Sequence, residues 1–189
     1  MGRRLRLLTE DVEELKNELA RLEIGDRFTL GNYHGPIEWR ILNKNSNSLL
    51  VISEYGLDAK PFDRHIYTAD WNKCSLKQWL NSDFYNKAFN SEEKSLIEKT
   101  PYGKVFCLSK EEVREYFSSK SDRRCKPTQY TLSQRAYMYQ GSCCWWLRSI
   151  GYFILSAAFV EADGGINSLN GDNVDDAHIS VRPAMRLKI

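Results

Sequence analysis

Residues 145–183 read WWLRSIGYFILSAAFVEADGGINSLNGDNVDDAHISVRP. The stretch opens with two tryptophans and closes on Val-Arg-Pro. Between Arg148 and Arg182 it contains no Lys, Arg, Gln, Met or Trp, and Glu161 is its only Glu. The rest of the chain is rich in Lys and Glu, so this restricted composition is local. We expect the two ends of the stretch to form scaffold and its middle to form an exposed surface.

Four large apolar residues follow one another near the start of this stretch, in GYFILS at residues 151–156. Alternate residues of a strand face opposite sides, so about half of them must point away from any single core. Because Gly151 and Ser156 flank the run, we predict an exposed loop or sheet edge. Exposed apolar groups of this size mark interaction sites. A fully buried strand is the alternative.

The second half of the stretch is polar and acidic, and its amide, hydroxyl and carboxylate groups suit adaptable recognition. We therefore predict one ligand-binding surface across residues 150–180, for a protein, peptide or glycan. Its candidate residues are Tyr152, Phe153, Ile154, Leu155, Asp163, Ser168, Leu169, Asn170, Asp172, Asp175, Asp176 and His178. The predicted scaffold anchors are Trp145, Trp146, Arg148 and Arg182.

Composition narrows the class of protein. The 189 residues suit one domain with an appendage, and 12% aromatic residues supply a rigid core. A net charge of +2 gives no electrostatic case for nucleic acid, and the basic runs SKSDRRCKP and MGRRLR are typical of solvated loops and ends. The apolar runs are too short for a membrane span, and we see no signal peptide. We expect a cytoplasmic protein.

The first 23 residues carry a heptad pattern. Their apolar residues alternate at spacings of three and four, as in the a and d positions of a coiled coil: Leu5, Leu8, Val12, Leu15, Leu19 and Leu22. We predict an amphipathic helix over residues 1–23 that forms a homo-oligomer through Leu8, Val12, Leu15, Leu19 and Leu22. The alternative is that this helix packs on its own domain. Residues 24–189 form the predicted ligand-binding domain.

The remaining pattern is that of an α+β fold. Strands are predicted in IGDRFTLGNY, PIEWRILNK, SLLVISEY, GKVFCLS, SAAFVEADG and ISVRPAMRLKI, and a helical pattern runs from Leu76 to Phe89. Asn90 with Glu93 and Ser109 with Glu112 are capping-box pairs that predict two helix starts.

No catalytic or metal motif is complete. The chain has no H-E-x-x-H, G-x-S-x-G or P-loop motif, and its five cysteines have no C-x-x-C spacing, which favours free thiols. A nucleophilic Cys143 or Cys144 meeting a distant His stays open. The acidic run at Asp172–Asp176 supplies some oxygens for calcium, but the order of an EF-hand is absent. We predict no enzyme, no metal and no cofactor.

Several segments, in order, carry a family resemblance: GNYHGPIEWRIL, YGLDAKPF, SLKQWLNSDFYNKAF, KVFCLSKEEV, CWWLRSIG, AAFVEADGGI and VRPAMRL. They resemble a family of bacterial and phage-associated proteins. That family is similar to the C-type lectin fold of formylglycine-generating enzymes and of variable proteins from diversity-generating retroelements. The resemblance covers about residues 24 to 189. It departs at Ile150, where the family usually has Pro before Gly.

The resemblance implies a C-type lectin-like domain with a diversified surface. In retroelement variable proteins, adenines of a template are randomised within codons that never give Lys, Glu, Gln, Met or Trp. Residues 152–180 lack all of these except Glu161, which we interpret as scaffold. A turn-rich segment that uses Gly, Asn, Asp and Ser for backbone reasons would have a similar composition. The competing hypotheses are an oxidase of the formylglycine-generating type that uses Cys143 or Cys144 and a structural phage tail or fibre-tip subunit. The resemblance does not carry the oxidase chemistry over, because that chemistry needs a cysteine pair near the closing strand and the last cysteine here is Cys144. It does imply association with a phage particle as the alternative to a cytoplasmic location.

Overall fold

The computed structural model describes residues 4–6, 11–65 and 69–189. It is a mixed α+β fold with several antiparallel sheets, as predicted. The strands are β1 (Arg4–Arg6), β2 (Arg27–Asn32), β3 (Pro36–Lys44), β4 (Ser48–Ser53), β5 (Tyr55–Gly56), β6 (Asp58–Ala59), β7 (Val105–Phe106), β8 (Lys126–Pro127), β9 (Met138–Tyr139), β10 (Ser142–Cys143), β11 (Trp145–Ile150), β12 (Ser156–Val160), β13 (Ile166–Asn173), β14 (Ser180–Val181) and β15 (Ala184–Lys188). The helices are α1 (Val12–Ala20), α2 (Ser75–Trp79), α3 (Tyr85–Ala88), α4 (Ser91–Leu96), α5 (Lys110–Tyr116), α6 (Lys120–Arg123) and α7 (Gln129–Ser133), and a π-helical turn (Leu80–Phe84) joins α2 to α3.

A six-stranded sheet has the order β1-β2-β3-β4-β15-β7. Its pairings are antiparallel except for β1 with β2, which is parallel. All six residues of β4 are buried, which agrees with its continuous apolar run. The last strand of the chain, β15, lies between β4 and β7, so the two ends of the sequence share one sheet.

A five-stranded sheet carries the predicted surface and has the order β13-β12-β11-β14-β6. The predicted closing strand is split between the two sheets, because β14 pairs with β11 and β6 whereas β15 pairs with β4 and β7. Pro183 lies at the break. Its ring removes a backbone donor, but its carbonyl accepts a hydrogen bond from Ser53 N at 2.8 Å.

The predicted helix starts are confirmed. Asn90 and Glu93 form a capping box at the start of α4, and Ser109 and Glu112 form another at the start of α5. The helical pattern from residue 76 to 89 is also confirmed, interrupted by the π-helical turn that precedes α3.

The N-terminal helix differs from its prediction. It covers only Val12–Ala20 and is capped by the Asp11 side chain, while the backbone of Arg4–Arg6 pairs with β2 as a strand. Leu15, Leu19 and Leu22 are at most 3% exposed and belong to the same buried cluster as the sheets. Val12 packs on that cluster, and Leu8 lies outside the described residues. The face that Leu15, Leu19 and Leu22 form therefore packs on the chain's own core, in agreement with the alternative, and nothing in the described residues supports a homo-oligomer through it.

We predict that Leu19→Ala lowers the free energy of unfolding by about 2–5 kcal/mol, because it removes a fully buried side chain and leaves a cavity. Denaturant unfolding measures the change. Asn17→Ala, on the exposed side of the same helix, is the control and should change stability by less than about 0.5 kcal/mol. A Leu19→Ala protein of unchanged stability but lower mass in sedimentation would restore the oligomer interpretation.

Candidate ligand-binding surface

The loop between β11 and β12 holds three large apolar side chains in solvent. Tyr152 is 81% exposed, Phe153 58% and Ile154 74%. The buried Ser156 holds the turn, because its Oγ accepts from Phe153 N at 3.1 Å and donates to Phe153 O at 2.9 Å. The exposure is thus a property of an ordered turn. Leu155 is half-buried.

Strand β13 bulges beside this loop. Asp172 pairs with Ala157 and Asn167 with Phe159, so the four residues 168–171 oppose one residue of β12. Gly171 has a φ of +67°, and a Cβ there would lie 2.6 Å from the Ala157 carbonyl oxygen. Glycine is therefore required where the bulge returns to the strand.

The loop and the bulge form one surface. Tyr152 N donates to Leu169 O at 3.1 Å, and the Leu169 side chain is 79% exposed. We call Tyr152, Phe153, Ile154 and Leu169 the apolar tip. The sequence pattern predicts all four residues as surface, and the structure brings both segments together. Ser168 and Asn170 lie in the same bulge, half-buried and exposed respectively.

A cavity of about 680 Å³ lies near the turn that follows β12, within the usual size of ligand pockets. Its buried lining is apolar: Cys144, Phe159, Ala162 and Ile179. Two exposed tyrosines, Tyr137 and Tyr139, add aromatic surface to it. Its polar lining comprises Arg135, Glu161, Asp163, Asp172, Asp176 and His178. We call this cavity the acidic pocket.

The carboxylates of the pocket are in unequal environments. Burial, together with the charges of Asp176 and Asp175, raises the pKa of Asp172 above its usual range. The Gly165 N–H and the Lys120 ammonium, 3.0 Å away, lower the pKa of Asp163. Asp176 accepts a hydrogen bond from His178 N at 2.7 Å and lies 3.0 Å from His178 Nδ1.

The structure divides the predicted acidic residues. Asp163, Asp172, Asp176 and His178 line the pocket, whereas Asp175 is exposed outside its lining. Glu161, which we expected to be scaffold, is a pocket residue, and its Oε1 accepts from Asn167 Nδ2 at 3.1 Å.

Sequence reasoning missed the tyrosine side of the pocket. Tyr137 and Tyr139 belong to a segment bracketed by Arg135 and Gln140, two non-glycine residues with left-handed backbone at φ values of 63° and 49°. Such conformations in non-glycine residues are costly and cluster at functional sites. In the sequence, the two tyrosines flank Met138, which indicates that both side chains lie on the same side of a strand. This spacing does not predict which residues they contact.

Three of the four scaffold anchors are fully buried, and Arg148 is half-buried. Trp145, Trp146 and Arg182 have no exposed area. The Arg148 guanidinium lies 3.7 Å from the centroid of the Tyr102 ring and pairs with Glu112.

The thiols of Cys143 and Cys144 are poor nucleophiles in their surroundings. Burial raises the pKa of Cys144 to about 11, and the Cys125 hydrogen bond together with burial raises the pKa of Cys143. The thiolate is the reactive form, so both groups are protonated near neutral pH. All five cysteines are free and buried.

The described residues offer neither a metal cluster nor a spanning helix. Within residues 4–6, 11–65 and 69–189, no group of three or more His, Cys, Asp or Glu side chains is arranged to hold a metal ion. Nor is any helix in those ranges both long and apolar enough to cross a membrane.

We predict that Asp172→Asn raises the melting temperature at pH 7. The pKa of Asp172 is higher in the folded than in the unfolded state, so its contribution to stability is present below an unfolded pKa of about 3.9 and is lost as the pH rises through the folded pKa. The gain should therefore vanish at about pH 3. Thermal unfolding followed by circular dichroism between about pH 3 and 8 measures it.

Asp163→Asn is the matched control with the opposite sign. The folded pKa of Asp163 is depressed, so its contribution is present above the unfolded pKa and is lost as the pH falls through the folded one. This variant should lower the melting temperature at pH 7. Equal shifts of the melting temperature in the two variants would contradict a raised pKa for Asp172 and a lowered pKa for Asp163.

Comparison with known proteins gives a family but no relative of known activity. No curated protein and no solved structure matches the chain. Residues 46–189, most of the chain, match the sequence profile described as a domain of unknown function, DUF6273, and the chain therefore belongs to the DUF6273 family.

Proposed function

We propose that this protein is a non-catalytic ligand-binding protein whose recognition surface is the apolar tip together with the acidic pocket. One observation carries the proposal: four large apolar side chains, each more than half exposed, stand on a turn and a bulge held by specific hydrogen bonds. The hydration of exposed apolar groups is unfavourable, and clusters of such groups mark interaction sites. A rigid support lets them bind without a large loss of conformational entropy.

We also propose that the surface is diversified, as in retroelement variable proteins with a C-type lectin-like fold. Two observations support this. The region of restricted composition contains the exposed residues of the tip, while its strand β12 is buried, contrary to the expectation of an exposed middle, and the tryptophans and Arg182 that bound the region are buried as well. A mechanism that randomises a surface needs this separation, because substitutions at exposed positions seldom disturb the core. Sequencing the gene's surroundings for a reverse transcriptase and a near-copy of the 3′ end would test the origin.

Catalysis by cysteine is the competing function. It needs a thiolate, whereas Cys143 and Cys144 both have raised pKa values. We therefore favour recognition over an oxidase of the formylglycine-generating type. No feature of the described residues favours a fibre-tip subunit over a binding protein.

We propose that the protein recognises its ligand without a bound metal ion. Two of the pocket's carboxylates already have partners within the chain: Asp163 pairs with Lys120, and Asp176 with His178. A calcium ion requires six to eight oxygen ligands, and these pairs leave fewer of them free.

We predict that replacing Tyr152, Phe153 and Leu169 together with Ser shifts the melting temperature by no more than about 2 °C, because the three side chains are exposed. The same variant should lose most of the signals that the wild type gives on protein and glycan arrays. Ile24→Ser is the control for binding, since Ile24 is 62% exposed on another part of the molecule.

Phe106→Ser is the control for stability. Phe106 is buried, so this change should cost about 3 kcal/mol or more, whereas Phe153→Ser should cost little. Unfolding of the triple variant, or array signals that survive it, would refute the proposed surface.

A further inference from the structure

We propose that the acidic pocket binds the positively charged side chain of a Lys or Arg residue in a protein partner, whose neighbouring apolar residues pack on the apolar tip. This inference rests on the proposed function and adds the chemical class of the ligand. It is carried by the charge, the aromatic surface and the position of the pocket.

The charge of the pocket is the first argument. Among the described residues, four carboxylates line it, against one permanently charged cation, Arg135, whose residue is exposed. Lys120 compensates Asp163, whereas Glu161 accepts a hydrogen bond from a side-chain amide and Asp172 accepts one from a backbone N–H. An ammonium or guanidinium group between Glu161 and Asp172 would form charge-assisted hydrogen bonds, which are about twice as strong as neutral ones.

The aromatic surface is the second argument. Tyr137 and Tyr139 are both about half exposed and line the same cavity as the carboxylates, with Phe159 in its buried lining. Ring faces attract cations, and the carbon stem of Lys or Arg packs on apolar surface while its head stays polar. A pocket that offers carboxylates and ring faces together suits a long cationic side chain better than an anion.

The backbone of the segment that carries the two tyrosines is held in place by the protein itself. Tyr137 N donates to His178 O at 2.8 Å, so this segment is fastened to the acidic side of the pocket. The left-handed residues Arg135 and Gln140 fix the direction of the chain on either side. Preorganisation of this kind reduces the entropy lost on binding.

The position of the pocket favours a protein partner over a free amine. Leu169 of the tip and Asp172 of the pocket are three residues apart on β13, so their Cα atoms are separated by at most about 10 Å, the length of an extended chain. A single segment of a partner can therefore place a cationic side chain in the pocket and apolar side chains on the tip. Several anchors on one surface give both affinity and specificity.

The test uses the full chain and a synthetic peptide with one Lys between Leu and Phe residues, titrated by calorimetry. Two further probes are the same peptide with acetyl-lysine and the small molecule N-acetyl-lysine methylamide. We expect the charged peptide to bind at least about tenfold more tightly than either, and to weaken as salt is raised. Equal binding of the acetylated peptide would overturn the charge argument, and equal binding of the small amine would overturn the protein partner.

Variants locate the binding. The double variant Glu161→Gln, Asp172→Asn should weaken the charged peptide about tenfold or more and leave the acetylated peptide unchanged. Tyr139→Ala should weaken it about threefold to tenfold, whereas Tyr139→Phe, which keeps the ring, should not. The double variant Glu13→Gln, Glu14→Gln, at two exposed positions of α1, removes the same number of charges and is the control. Circular dichroism confirms that each variant is folded.

The two proposals fail separately. If array signals depend on the apolar tip but the pocket variants bind the charged peptide as the wild type does, the pocket inference is wrong and the proposed function stands. If a glycan binds the pocket regardless of charge, the inference is likewise wrong. If the tip variant keeps every array signal, the proposed function is wrong, whatever the peptide shows.

Discussion

The guanidinium of Arg182 is fully buried, and backbone carbonyls, ring faces and the charge of the Glu54 carboxylate stabilise it. Its Nε donates to Ser53 O at 2.9 Å and its Nη1 to Arg123 O at 3.4 Å, while the Trp145 and Phe117 ring centroids lie 4.9 and 5.5 Å away. Burial lowers its pKa, yet arginine stays charged in proteins. Burial of an ion costs several kcal/mol in lost hydration. The fold must therefore bring these carbonyls and ring faces into contact with the guanidinium. The constraint joins β4, β14 and the end of α6, elements that are distant in sequence.

This buried centre also reaches the ligand-binding surface. Trp145 Nε1 donates to the same Arg123 carbonyl at 3.1 Å, and Arg123 Nε donates to Gly164 O at 2.7 Å. Gly164 belongs to the turn between β12 and β13 that carries Glu161 and Asp163. A Cβ on Gly164 would lie 1.9 Å from the Lys120 carbonyl oxygen, so only glycine allows the turn to approach α6 this closely. The acidic side of the pocket is therefore positioned by hydrogen bonds that begin at the core arginine.

The parts of the fold that were predictable from sequence depend on local interactions. A capping box forms within four residues, and the exposure of Tyr152 to Ile154 follows from a run of apolar residues between Gly151 and Ser156. The face of α1 was not predictable, because spacings of three and four suit both a coiled coil and a helix packed on its own domain. The tyrosine side of the pocket was not predictable either. Residues 137–139 meet residues 159–178 only through the tertiary structure, and the φ values that orient Tyr137 and Tyr139 belong to residues that are usually right-handed.

The raised pKa of Asp172 and the lowered pKa of Asp163 indicate different roles for the two carboxylates, one available to a ligand and one structural. Asp163 is satisfied by Lys120 and the Gly165 N–H, so it holds the turn. Asp172 is partly desolvated beside two like charges, so in the free protein its ionised form is disfavoured. A bound cation would remove the repulsion between Asp172 and its neighbours, which destabilises the free protein. The Asp172 carboxylate would therefore contribute more to binding than the Asp163 carboxylate, which already has a partner. The chain tolerates that repulsion because its stability resides elsewhere, in a core where the tryptophans and Arg182 are fully buried. In the diversified surface that we propose, the same separation of a stabilised core from an unsatisfied surface would let the surface residues vary without loss of the fold.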